Sequence, residues 1–236
     1  MGNSFKQLWN DAKDLVVGAG RVLRDHRIGF GLFAAGFLAL GLLVHPHDIA
    51  WHERITSNRT SALRHFARQL SFWGDLPTGS VIVAATVWIA GLIRRRRKWQ
   101  RAAVACLLAA LVAGLFANGF RFTMGRARPS TDLPDGFYGP SLQNNLHGFP
   151  SAHAVTSFGT ATALIVTLPA VGIPLLAGAG GVVWSRMYLE QHYPMDVIVG
   201  AGIGTLFGIA FGLAARRKSA DETGVCGVAG APPSKP

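Results

Sequence analysis

Long uncharged runs alternate along this chain with short, heavily charged segments. The first run is Ile28 to Val44, the second lies between Asp75 and Arg94, and the third is Ala102 to Phe120. Ala154 to Ser185 is one uncharged stretch of 32 residues, too long for a single crossing of a bilayer, which takes about 20. Leu168-Pro169 and Gly172-Ile173-Pro174 divide it, because proline ends or kinks a helix. The last run is Val197 to Ala215. The pattern predicts an all-α bundle of six transmembrane helices over residues 28–215, with both termini on the same side. Residues 1–27 form a segment before the bundle, and residues 216–236, rich in Gly, Ala, Pro and Ser, form a tail expected to be disordered.

Between the first two spans, Ile55, Leu63, Phe66, Leu70 and Phe72 recur at near-helical spacing with Arg64 and Arg68 among them. This predicts an amphipathic helix in the interface, near the substrate or capping the bundle. Span six carries Gly200, Gly204, Gly208 and Gly212. Glycine at every fourth residue makes a stripe that permits close backbone approach, inside the bundle or across a homodimer. About twenty mostly polar residues separate Pro129 from Pro150, and a loop of that length is expected to act on function, as a lid or head-group selector.

Half of the 236 residues are hydrophobic and only 15% are charged, against about 25% in soluble domains. A net charge of +11 would suggest nucleic acid in a soluble protein, but here the basic residues flank apolar runs, with no basic stripe interleaved by aromatics. They read as topology signals. Fifteen Lys and Arg fall on the side of the termini, in 6–27, 94–101 and 216–235, and eight on the other side. The side with fifteen is expected to be cytoplasmic. Cys106 and Cys226 do not make a disulfide framework, and no Cys/His spacing suits zinc. The first apolar run is too long for a signal-peptide core, so no cleavable leader is expected.

Three motif stretches fall at span ends on the expected outer face. In Ser185-Arg186 through His192 to Asp196, Pro194 suits the first turn of span six. His192 and Asp196, four apart, then come onto one face. A carboxylate on one ring nitrogen would leave the other free to attack. In Pro150-Ser151-Ala152-His153, Ser151 is a natural N-cap. The free N–H groups of Ala152 and His153 would make an anion site, and His153 could pass a proton to a leaving oxygen. Arg121 and Arg128 end span three and Arg186 ends span five; arginine suits forked contacts to phosphate. Each of these residues alone could be a cap, an interface histidine or a snorkelling arginine. Their convergence suits phosphoryl transfer through a histidine nucleophile. No acidic cluster that would hold Mg²⁺ is apparent.

These stretches resemble the three signature motifs of the type 2 phosphatidic acid phosphatase superfamily. It includes lipid phosphate phosphatases, undecaprenyl-diphosphate phosphatases, glucose-6-phosphatase and the vanadium haloperoxidases. Arg121 stands where the family has lysine, and Ala152 where it has glycine. The resemblance implies that His192 is the nucleophile and forms a phosphohistidine, that Asp196 orients it, and that His153 protonates the leaving group and then activates water. It implies that Arg121, Arg128, Ser151, the Ala152 N–H and Arg186 hold the phosphoryl oxygens, with no cofactor. The expected protein is a bacterial inner-membrane phosphatase of a lipid phosphate or diphosphate. Undecaprenyl diphosphate, phosphatidylglycerophosphate, phosphatidic acid and lipid A phosphates all fit. Phe149, Trp184, Tyr188 and Tyr193 are expected at the interface around the head group. A lipid phosphotransferase would use the same histidine chemistry; a haloperoxidase would be soluble; a scaffold or transporter would not need both histidines and Asp196.

Overall fold

A computed structural model describes residues 2–222, and the surroundings of side chains over 6–217. Nine α-helices follow one another among these residues: α1 Gly2–Asp25, α2 Arg27–Val44, α3 Asp48–Thr56, α4 Ser61–Trp73, α5 Val81–Ile93, α6 Arg97–Met124, α7 Ala152–Thr167, α8 Pro169–Tyr188 and α9 Pro194–Glu222. The six apolar runs are α2 and α5 to α9. Five of them, counting α2 continued through α3 and α5 with the turn before it, are long and apolar enough to cross a membrane. The sixth, α7, has 16 residues, about 24 Å of helix against a hydrocarbon core of about 30 Å. It is also the most enclosed, packed against α6, α8 and α9. The protein is therefore an all-helical, multi-pass membrane bundle with α7 at its centre.

The ends of the helices follow from local chemistry. Leu168 and Pro169 break α7 from α8, as the sequence predicts, and Pro174 lies inside α8. Thr60 caps α4 by accepting from Leu63 N–H, and α4 is the expected amphipathic helix. Asp75 caps a π-helical turn, Leu76–Ser80, that leads into α5. Gly125 ends α6 at φ +57, where a Cβ would stand 2.0 Å from the Gly139 carbonyl oxygen. Only glycine fits this left-handed, crowded turn.

The segment 1–27 is largely the helix α1, which lies against α6 and α9 and buries Leu15, Ala19 and Val22. Asp11 accepts from Arg97 and Arg101 at 2.8 and 3.0 Å. Two of the basic residues counted as topology charges are thus also structural partners. Arg217 reaches His26 at 3.2 Å, so α1, the later part of α9 and the basic turn before α6 gather at one end of the bundle. The predicted disorder of 216–236 is corrected for its first part, because α9 continues as helix to Glu222. The rest of that tail lies outside the described residues.

The glycine stripe is not a dimer face. A Cβ on Gly200 would stand 2.8 Å from the Ser151 carbonyl oxygen, and on Gly204 2.3 Å from that of Val155. On Gly208 and Gly212 it would meet Thr162 and Val166 Cβ, both at 2.7 Å. The stripe is spent on α7, which corrects the expected homodimer surface. Gly204→Val is accordingly expected to destabilise the fold by at least about 1–3 kcal/mol, since the obstacle is backbone. A thermal melt in detergent measures this; a wild-type melting temperature would refute it.

Candidate active site

The site lies at the start of α9, away from the end where Arg217 meets α1. His192 is buried, 2% exposed, in the short turn between α8 and α9. Its Nδ1 lies 2.6 Å from the Gly148 carbonyl oxygen. A carbonyl only accepts, so Nδ1 carries the proton and donates, and Nε2 holds a free lone pair. Burial, then the charges of Arg186 and Arg128, hold His192 well below the ordinary histidine range. The imidazole is neutral, as a nucleophile must be.

Asp196 does not take the place expected for it. Its Oδ2 is 3.9 Å from His192 Nδ1, beyond hydrogen-bond reach. Both oxygens are committed elsewhere, Oδ1 accepting from Arg126 Nη1 at 2.7 Å and Oδ2 from the Tyr193 N–H at 2.7 Å. Its carbonyl also accepts from the Ser151 N–H at 3.0 Å. Asp196 therefore pins the turn carrying His192 to the start of α7, and Gly148 is what fixes the ring.

Ser151 caps α7, although its hydroxyl stands 3.5 Å from Ala154 N. Ala152 and His153 are the first residues of the helix, where N–H groups have no intrahelical acceptor. His153 packs under Gly74, where a Cβ would meet its ring at 3.1 Å, so the α4–α5 junction roofs this histidine.

Arg121 from the last turn of α6, Arg128 from the loop that follows it and Arg186 from the last turn of α8 converge here. Arg121 Nη1 donates to Asn118 at 3.0 Å, and Arg186 Nη1 to Ser71 at 2.8 Å. Arg128 donates to Gln191 at 2.6 Å and Asn144 at 2.9 Å. In all three the buried Nε–H has no partner among the described residues. The three cations act on one another and on His153. Burial moves Arg128 below its ordinary value, with Asp196 opposing, and it remains a cation at neutral pH. Three buried donors left open beside two histidines are chemically suited to a tetrahedral anion.

Sequence reasoning missed Arg126, which appeared only as one more basic residue. It is fully buried and donates to Asp48 at 2.7 Å, Asp196 at 2.7 Å and Asp135 at 2.9 Å. Its guanidinium also lies over the Tyr193 ring at 4.8 Å. Burial alone would lower its pKa; Asp196, Asp48 and Asp135 outweigh that and raise it. The expectation of no acidic cluster needs correction, since the fold gathers His45, Asp48 and Asp135 closely enough for a metal. Arg126 Nη2 is within 3.2 Å of all three, so a guanidinium fills the centre where a cation would bind. No alternation or spacing signals this cluster, because its carboxylates come from three distant stretches.

The long loop before α7 is ordered against this cluster. The N–H groups of Ala127 and Tyr138 bond across the turn to Gly136 and Gly125. His147 donates from Nε2 to the Ser141 carbonyl, 3.0 Å away, and packs on Phe122. The aromatic belt expected around the head group is also corrected for three members. Phe149, Tyr188 and Tyr193 are buried, and Tyr188 is fastened to Asn58 and Thr60; they pack behind the site.

The profile of the PAP2 superfamily matches residues 102–219, which include all three motif stretches. The chain belongs to the PAP2 superfamily. This PAP2 protein is 36% identical over 148 residues to decaprenylphosphoryl-5-phosphoribose phosphatase of Mycobacterium tuberculosis, covering 60% of this chain and 75% of that one. It is 33% identical over 154 residues to lipid A 4'-phosphatase of Bacteroides thetaiotaomicron, covering 61% and 68%. Its fold is that of the PAP2-type phosphatidylglycerolphosphate phosphatase of Bacillus subtilis, at TM-score 0.57 and 21% identity over 83% of this chain and 96% of the other. Family and relatives together make it a phosphatase that acts on lipid phosphates.

Proposed function

We propose that this PAP2 protein hydrolyses a lipid phosphate or diphosphate at the outer face of a bacterial inner membrane, through a phosphohistidine on His192. The observation that carries the reading is the set of three unpartnered, buried arginine Nε–H groups around a neutral histidine with a free Nε2. His192 Nε2 attacks phosphorus, the bond from phosphorus to the lipid oxygen breaks, and His153 gives that oxygen its proton. His153 then takes a proton from water, the resulting oxygen attacks phosphorus, and the P–N bond breaks to release phosphate. Arg121, Arg128, Arg186 and the first N–H groups of α7 stabilise the charge on the equatorial oxygens throughout.

Phosphate release by the purified protein tests this, across phosphatidic acid, phosphatidylglycerophosphate, a polyprenyl diphosphate and a phosphosugar lipid. Release is expected to survive EDTA, because the positive charges of the site are arginines, and to be inhibited by vanadate as a pentavalent mimic. A strict requirement for added Mg²⁺ would overturn the mechanism.

Orientation is testable separately. The gathering of α1, Arg217 and the basic turn before α6 at the end away from the site supports a cytoplasmic position for that end. Ser130→Cys and Asp132→Cys sit on the exposed loop near the site. An impermeant thiol reagent is expected to label them in intact cells, not only after lysis. The reverse pattern would invert the topology.

A further inference from the structure

A second feature adjoins the phosphate receptor. A groove of about 190 Å³ runs between α6, the π-helical turn before α5 and the start of α7. Its polar rim is Asp75, Asn118 and Arg121, with Ala152; Leu111 and Leu115, which are exposed on α6, line the rest. Arg121 and Ala152 belong to the phosphoryl site, so the groove opens directly from it. The volume holds roughly six waters, which suits a small group joined to a lipid rather than a whole chain.

The two remaining rim residues do not suit phosphate. A carboxylate beside an anion site repels the anion, so Asp75 faces something other than the phosphoryl oxygens. One of its oxygens accepts from the Leu76 N–H at 3.0 Å, and no hydrogen bond occupies the other among the described residues. Asn118 gives its carbonyl oxygen to Arg121 Nη1, which fixes the amide and leaves its NH₂ to the groove. The rim thus offers an acceptor and a donor. A hydroxyl both donates and accepts and is what satisfies such a pair. The neighbouring groove between α4, α7 and α8 makes the contrast. Its polar residues are already satisfied, Thr160 on Ser80 and Ser157 on the His153 carbonyl, and the rest of its wall is almost wholly apolar.

We propose that this groove is a leaving-group subsite, in which Asp75 and Asn118 recognise a free hydroxyl on the alcohol that departs from phosphorus. The inference rests on the phosphatase reading above and narrows it to lipids whose phosphate is borne on a hydroxylated group, a sugar ring or a glycerol. Leu111 and Leu115, on the exposed face of α6, receive the non-polar side of that group or the start of the chain.

The test compares kcat/KM on three substrates in detergent micelles: a polyprenyl-linked phosphosugar, phosphatidylglycerophosphate and phosphatidic acid, which lacks a free hydroxyl on its leaving group. The wild-type protein is expected to prefer one or both hydroxylated substrates over phosphatidic acid, and which one it takes separates sugar from glycerol. Asp75→Asn keeps the cap, since Asn caps as well as Asp, but removes the charged acceptor. It is expected to lower that preference about tenfold, chiefly through KM, as loss of a hydrogen bond to a charged group does. Asn118→Asp is a second route to the same loss: it keeps the oxygen that holds Arg121 Nη1, removes the NH₂ donor and does not touch the cap. A wild-type protein without preference, or variants that slow all three substrates by one factor, would overturn the subsite and leave the phosphatase reading standing. Release from none of the substrates would sink both.

Discussion

Replacing His192 with alanine is expected to abolish phosphate release and to leave no acid-labile phosphate on the protein after a rapid quench. Nothing else in the site can take its role. The arginines cannot attack phosphorus, both oxygens of Asp196 are taken by Arg126 and the Tyr193 N–H, and His153 stands at the start of α7 under the α4–α5 junction. His153→Ala is expected to behave differently. General-acid catalysis is worth about 10²–10⁴ in rate, so release slows by that order while phosphoenzyme can still form. The loss should be smaller for a diphosphate, whose leaving group departs without help, than for a monophosphate. Phosphate trapped on His192→Ala but not on His153→Ala would exchange the two roles. Because His192 is held neutral well below the ordinary histidine range, its protonation is not expected to limit the rate as pH falls through about 6.5.

Arg126→Met is expected to be the most destabilising single change near the site. It would strip Asp48 and Asp196, both 0% exposed, of their shared cation. Breaking one side of a buried ion pair costs about 3–5 kcal/mol, because a charge is left without compensation. The melting temperature in detergent should fall by on the order of 10 °C. Arg126→Lys should fall between the two, keeping the charge but losing the fork that reaches three carboxylates. Asp135→Asn should cost less, since Asp135 is partly exposed and the other two carboxylates remain. An Arg126→Met protein with the wild-type melting temperature would mean that the cluster contributes nothing to the fold.

Arg126 also marks how far the motif stretches could be read. It lies between Arg121 and Arg128, and by residue type nothing separates the three. Packing separates them. The left-handed turn at Gly125 ends α6 and sends Arg126 inward to Asp48 and Asp196, while Arg121 and Arg128 keep unpartnered Nε–H groups. The i, i+4 spacing of His192 and Asp196 suggested a direct bond. Pro194 begins α9 only after His192, so the two are not on one continuous helix. The turn instead brings the ring to Gly148, 44 residues earlier in the chain.

What the chain determined by itself is whatever depends on hydropathy and on local chemistry. Uncharged runs of bilayer length, the break at Leu168-Pro169, the Ser151 cap and the amphipathic α4 all follow from residues close in sequence. The inventory of histidines and arginines at span ends belongs here too, because helix ends are set locally. Tertiary structure decided whatever depends on which helix lies beside which. It turned the glycine stripe from a candidate dimer face into the seat of α7, and made Gly148 the partner of His192. It also joined Asp48, Asp135 and Asp196 on Arg126, and set Asp75 and Asn118 on one groove. Hydropathy is a sum over neighbours along the chain, whereas these pairings are choices among distant groups, made when the helices pack and each buried donor must find its acceptor.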